Sequence, residues 1–203
     1  MKLFYSQTSP YARKVRLAAV ALGLADAIEV VVRAASPVAE DADLVAANPL
    51  GKIPALVLDD RRVLFDSRVI VEYLDHVAGG GLLPGPSDPE RWETLRLQAL
   101  ADGVLDAALL MRYEVALRPE ALLWRDWLDG QRRKVERALA ALEADVERVA
   151  GGAPLNAIAV TCALGYLDYR FADLPWRGDH PGLARFFAEY SARPEMVLTD
   201  PAA

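Results

Sequence analysis

The chain has 203 residues, 53% of them hydrophobic, which is enough to bury a core in one large domain or in two small ones sharing an interface. Its net charge is −6 with acids and bases interspersed, which argues against nucleic acid as a partner, because that needs a concentrated basic surface. A single cysteine, Cys162, excludes an internal disulfide and suits a reducing compartment, and two distant histidines, His76 and His180, without a cysteine cluster point away from zinc.

The first third alternates strand and helix patterns. "KLFY" reads as a short buried strand. Residues 10–22 carry an apolar helical stripe at Ala12, Val15, Ala19 and Leu22, stopped by Gly23. "IEVVVR" is β-branched and reads as a second strand. "AEDADLVAANP" is a weak helix or a loop that ends before Pro49. "IPALVLDDRRVLFDS" reads as a hairpin, with strands at 55–58 and 63–65 around a polar turn. "SRVIVEYLDHV" places Val69, Ile70, Tyr73, Leu74 and Val77 on one helical face.

The order β-α-β-α-β-β-α fills residues 1–77. "AGGGLLPGPSDPE" breaks both periodicities and supplies a linker at 78–88. Beyond it every segment has a helical pattern, so residues 89–203 are expected to form an all-α bundle. "WRDWLDGQRRKVERALAALEADVERV" reads as one helix in it. The first residues contain one Lys and a very short apolar run, neither a signal peptide nor an anchor, and no apolar segment reaches membrane-spanning length free of charge. The expectation is a soluble cytoplasmic protein with no membrane partner and no metal.

Four places can carry chemistry. Ser9 followed by Pro10 is a strong helix start. Ser9 is either a plain cap or also the donor to a ligand. A thiol bound in the positive end of that helix dipole is stabilised as thiolate, with Tyr5, Ser6 and Thr8 as rival hydroxyls. In "NPLGKIPAL", Pro54 opens a strand. A trans bond makes it an edge proline, whereas a cis bond turns the Ile53 N–H and C=O outward, where an extended peptide can pair with them.

In "FDSRVI", Ser67 reads as the cap of the next helix, whose N-terminus also suits a ligand carboxylate, and Asp66 suits an ammonium. In "LQALADGVLDAALLMRY", Leu97, Leu100, Val104, Ala108 and Met111 form the core stripe. Asp102 and Asp106 lie four apart on another face with Leu95, Ala99, Leu109 and Tyr113. Those two are either ordinary exposed acids or carboxylates facing a ligand ammonium. Cys162, in the apolar helix "AIAVTCALGYL", reads as a buried inert thiol, and "QRRKVER" as a solvated helix face.

Taken in order, "TSPYARKVR", "NPLGKIPAL", "FDSRVIVEYL", "ALADGVLDA" and "CALGYLDYR" resemble the glutathione S-transferase superfamily, in particular its small bacterial, serine-type members. The resemblance implies an α/β thioredoxin-like N-terminal domain at 1–77, a linker at 78–88 and an all-α C-terminal domain at 89–203. It implies glutathione as co-substrate, with Ser9 at the sulfur, the Ile53 backbone before a cis Pro54 at the cysteinyl part, and Asp66 and Ser67 at the γ-glutamyl end. Lys52 is the candidate for the glycyl carboxylate. Asp102 or Asp106 would reach the γ-glutamyl amine of a neighbouring subunit in a homodimer.

The second substrate, a largely apolar electrophile, would lie between the domains near Tyr11, Leu109, Arg112, Tyr113 and Tyr166. The implied activity is conjugation of the glutathione thiolate to that electrophile, a detoxifying chemistry. The alternatives are a non-catalytic ligand- or protein-binding module of the same fold and a glutathione-dependent peroxidase. Two departures stand out. "SPYA" replaces the cysteine motif of thioredoxins and glutaredoxins, which disfavours disulfide exchange. "PLNAIAV" places Pro154 and Ala157 where relatives carry a Ser/Thr cap and an Asp, so either Asn156 substitutes or the helix start shifts.

Overall fold

The computed structural model describes residues 1–201, which group into two compact units: 1–88 together with the segment from Arg193 onward, and Pro89–Ala192. No helix among the described residues is long and apolar enough to cross a membrane.

In the first unit, strands β1 (Lys2–Tyr5), β2 (Glu29–Val32), β3 (Ala55–Val57) and β4 (Val63–Leu64) form a sheet of order β2-β1-β3-β4. β1 runs parallel to β2, with Leu3 opposite Val30, and antiparallel to β3, with Leu3 opposite Leu56. The parallel pair needs a crossover, and helix α1 (Pro10–Ala21) supplies it. Helix α2 (Ala42–Ala47) precedes β3, and α3 (Ser67–Ala78) follows the hairpin. Leu3, Val15, Ala18, Leu56, Ile70 and Leu74 are buried together as the core of this unit, where α1 packs against α3.

The α3 face differs from the expected one. Ile70, Val71 and Leu74 are buried, whereas Val69 and Val77 are about half exposed at 47% and 48%. The buried line runs Ser67, Ile70, Val71, Leu74, Asp75, a regular helical spacing that places Val69 and Val77 on the other side. The carboxylate of Asp75 also accepts a hydrogen bond from the Leu82 N–H at 2.7 Å, so the glycine-rich segment after α3 is tied back to the helix.

The C-terminal helix Pro194–Leu198 lies against α1 and belongs to this first unit, whereas the sequence pattern groups it with the helical bundle. Its partner is a charged residue of α1. Arg13 is only 7% exposed; its Nη2 donates to the Met196 carbonyl at 2.8 Å and its Nε to Thr199 Oγ1 at 3.2 Å. A guanidinium is tolerated out of water only with such partners.

In the second unit, α4 (Glu90–Leu117) packs against α5 (Arg125–Ala144) and α7 (Pro154–Arg170). Helix α7 is buried on all sides from Leu155 to Leu167, Cys162 included, as its near-continuous apolar sequence requires. Helices α6 (Val146–Gly151), α8 (Trp176–Asp179) and α9 (Pro181–Ser191) complete the unit. The expected single helix after Trp124 is broken at Asp145, which leaves helical geometry (φ −98°, ψ 12°) and pairs with Arg96 at 2.7 Å.

The start of α7 has shifted to Pro154, with Ala153 at the cap position and no side-chain cap. Asn156 does not substitute for one: its Nδ2 donates to the Arg148 carbonyl of α6 at 3.1 Å. Gly152 is required there, since a Cβ would sit 2.5 Å from the same carbonyl. The N-terminus of α9 is capped from a distance: Glu143 on α5 accepts from the Gly182 and Leu183 N–H groups, both at 2.7 Å.

Candidate functional site

The first unit brings three of the singled-out segments to element ends. Ser9 is the N-cap of α1, with extended backbone (φ −83°, ψ 116°), and Pro10 takes the first helical position. The half-buried Ser9 Oγ accepts the Ala12 N–H at 3.2 Å. A hydroxyl has one proton to give as well as lone pairs to accept with, and the Ser9 proton has no acceptor among the described residues. The cap and a ligand contact therefore use different capacities of one group.

The second segment is the loop "NPLGKIP" between α2 and β3. The Ile53–Pro54 peptide is cis. The β1–β3 ladder begins only at Ala55, opposite Phe4, so the Ile53 backbone lies outside it. The loop is held by a residue that the pattern reading overlooked. Asn48 is 2% exposed; its Nδ2 donates to the Lys52 carbonyl at 2.7 Å and its Oδ1 accepts from the Leu50 N–H at 3.1 Å. Gly51 turns the loop with φ of +60°, a conformation that side chains resist. The signal was present in the order Asn-Pro-x-Gly, a turn-forming set. Lys52 is exposed and Ile53 half-buried.

The third segment opens α3. The cap is Asp66, not Ser67: its carboxylate accepts from the Arg68 N–H at 3.0 Å and pairs with the Arg68 guanidinium at 3.3 Å. Aspartate caps as well as serine does, and the extended backbone of Asp66 leaves Ser67 as the first helical residue, buried at 2% exposure. The Phe65–Asp66 peptide is also cis. Tyr11, in the first turn of α1, is half-buried.

In the second unit Asp102 and Asp106 do not share an environment. Asp102 is 3% exposed, within the buried surface of α4, whereas Asp106 is exposed. Further along α4, Arg112 and Tyr113 face Tyr166 of α7, and Leu109 is half-buried on the preceding turn. Tyr166 is 5% exposed. Burial pushes its hydroxyl above the ordinary phenol value; Arg170 and Arg112 pull against this, and Tyr113 adds to it. Burial also pushes Tyr113 up. Arg170 extends this group; its guanidinium lies 4.2 Å from the centre of the Tyr169 ring.

Comparison with known proteins points one way. Residues 8–77 match a family profile described as the N-terminal domain of glutathione S-transferase. The chain is 35% identical over 207 residues to the uncharacterized GST-like protein YibF of Escherichia coli K12, covering 99% of this chain and 98% of that one. A crystal structure of a glutathione transferase family member from Pseudomonas fluorescens Pf-5 with bound glutathione superposes with a TM-score of 0.96 at 50% identity, covering 98% of each chain. Another from that organism, holding S-(propanoic acid)-glutathione, superposes with a TM-score of 0.91 at 48% identity, covering 99% of each chain.

Proposed function

Because the chain belongs to the glutathione S-transferase family, we propose that it is a glutathione transferase, using Ser9 to hold the sulfur of glutathione as a thiolate that attacks an electrophilic carbon. The observation that carries this reading is the unspent proton of the Ser9 hydroxyl at the positive end of α1. A thiol has a pKa of about 8.5 in water, and a helix N-terminus with a hydroxyl donor lowers it. The thiol proton leaves to solvent, and the Ser9 O–H and the dipole of α1 favour the charge left on sulfur. The thiolate then forms the new carbon–sulfur bond as the leaving group departs with its electron pair, or as an activated double bond takes up the pair. The protein contributes thiolate stabilisation and positioning.

The tripeptide lies extended along Ile53 in this reading, whose N–H and C=O stand outside the sheet ladder. Its γ-glutamyl end goes to Asp66 and Ser67 at the start of α3, and its glycyl carboxylate to Lys52. The protein acts as a cytoplasmic homodimer, and the exposed Asp106, rather than the buried Asp102, meets the γ-glutamyl amine held by the other subunit. Two full-length structural relatives that hold glutathione or a glutathione conjugate support the reading.

Calorimetric titration with reduced glutathione tests it. The expected result is a saturable heat with one site per chain, together with conjugation of 1-chloro-2,4-dinitrobenzene. Absence of heat with both glutathione and an S-alkyl analogue would favour a binding module for other ligands.

A further inference from the structure

Helix α1 carries three cations, Arg13, Lys14 and Arg16, and no acid, and all three lie in its first two turns. A helix favours acids at that end, because the dipole there is already positive. Two of the three are accounted for by neighbours. Lys14 is fully buried and has a partner of its own, and the Arg16 guanidinium lies 5.3 Å from the centre of the Tyr5 ring. Arg13 is different. It is buried, its two acceptors are the neutral Met196 carbonyl and Thr199 hydroxyl, and it forms no ion pair among the described residues.

An arginine cannot shed its proton to escape burial, so the positive charge stays whole inside the fold. The charged groups on the elements packed against α1 leave it unmatched. On α3, Asp75 is buried but accepts from the Leu82 N–H, and Arg68, Glu72 and His76 are exposed. Asp26 in the turn after α1 is exposed, as is Asp200, and Glu195 of the C-terminal helix is half-buried without an ion pair to Arg13. Arg13 sits one helical turn from Ser9. Its N–H donates to the Ser9 carbonyl at 3.0 Å, a separation of about 6 Å along the axis. The Cα–Cβ bonds of a helix tilt toward its N-terminus, so this side chain leaves α1 on the Ser9 side of its own Cα.

Resting on the glutathione transferase reading, we propose that Arg13 assists Ser9: its uncompensated buried charge favours the thiolate form of the glutathione sulfur held at the start of α1. The guanidinium does not touch the sulfur and takes no proton. It acts through its field, which the low-dielectric interior and the lack of a counter-ion leave little screened. The thiol proton goes to solvent, and the bound anion in turn offsets the cost of a helix that carries its cations at the positive end. A unit charge on the order of 10 Å from the sulfur, at an effective dielectric constant of about 20, shifts a thiol by about one pH unit.

The test reads the apparent pKa of the thiol of bound glutathione. It is taken from the ultraviolet absorbance of the thiolate and from the pH profile of kcat/KM for 1-chloro-2,4-dinitrobenzene at saturating glutathione. Three variants separate the field from the clasp. Arg13→Gln removes the charge, and the thiol pKa is expected to rise by about one unit. Thr199→Val removes an acceptor of Arg13 but keeps the charge, and the pKa is expected to stay within error of the parent value. Thr199→Asp keeps an acceptor and adds a counter-ion, so the pKa is expected to rise although Arg13 is still held; this variant carries the test if Arg13→Gln does not fold. A parental pKa in Arg13→Gln or in Thr199→Asp would overturn the proposal. An equal rise in Arg13→Gln and Thr199→Val would also overturn it, since Arg13 would then act only by holding the helix. These results leave the transferase reading standing, because glutathione still binds and ionises. No heat from glutathione and no thiolate signal with the unaltered protein would remove that reading and this inference with it.

Discussion

Arg13 and Thr199 are joined by a hydrogen bond of 3.2 Å across 186 positions of the chain. Thr199 spends its own proton on the Glu195 carbonyl at 2.9 Å, which leaves its oxygen free to receive the Arg13 Nε. The helix that starts at Ser9 is thereby clasped by the last helix of the chain. Thr199→Val removes the acceptor and strands a nitrogen of a buried cation. Urea unfolding is expected to show a loss of about 1–3 kcal/mol, and a change within error would show that the clasp contributes nothing.

Ser9→Ala removes a cap and a ligand donor together, and two measurements separate them. Loss of the cap is expected to lower stability by about 1 kcal/mol. Loss of the donor is expected to raise the apparent pKa of the bound thiol and to slow conjugation at pH 6.5 by about tenfold or more, with glutathione still bound. Equal rates in variant and parent would transfer the role to Tyr5 or to a backbone amide.

Asn48→Ala tests whether the loop before Pro54 is held in shape from within. The variant leaves the Leu50 N–H and the Lys52 carbonyl without their present partners. The expected cost is about 1–3 kcal/mol in unfolding, accompanied by weaker glutathione binding in calorimetry because Ile53 follows directly on that loop. Binding that stays at the parent value would mean that the loop does not present the tripeptide.

Glu114 predicts a pH dependence. The hydrogen bond from Arg118, and next the Trp124 N–H, hold its carboxyl below the ordinary glutamate value. A depressed folded-state pKa means that the contribution is fully present above the unfolded value and is lost as pH falls through the folded one. The stability gap between parent and Glu114→Gln is therefore expected to be constant from pH 7 down to about pH 5, and to shrink below the unfolded-state pKa of about 4.3. A gap that does not narrow in acid would contradict this.

Much of the first unit is legible in the chain because its signals are local. The serine and proline at the start of α1, the β-branched run of β2 and the turn between β3 and β4 each depend on neighbouring residues. What was missed depends on partners far away in the chain. Arg13 and Lys14 stand outside the apolar stripe recognised in this helix, yet they are 7% and 0% exposed. Nothing within a few positions of Arg13 announces residues 196–199. The same holds for Glu143, whose role as the cap of α9 lies 39 and 40 positions downstream. The break at Asp145 and the exposed Val69 and Val77 have a similar origin, since periodicity gives a stripe but not the direction from which its partner arrives. Of the candidate site, Ser9 was readable from cap chemistry. Asn48 was not singled out, because a buried amide is recognised only by what surrounds it.

The clasp on α1 also orders events during synthesis. A ribosome releases residues 1–88 first and the whole helical unit next, and only then the segment bearing Met196 and Thr199. Until that moment the emerging N-terminal unit exposes a cationic side chain and a bare helix flank that its finished form conceals. Its maturation waits until residues 196–199 have been made, and a nascent chain stalled inside the helical unit would leave the N-terminal unit without the partners of Arg13.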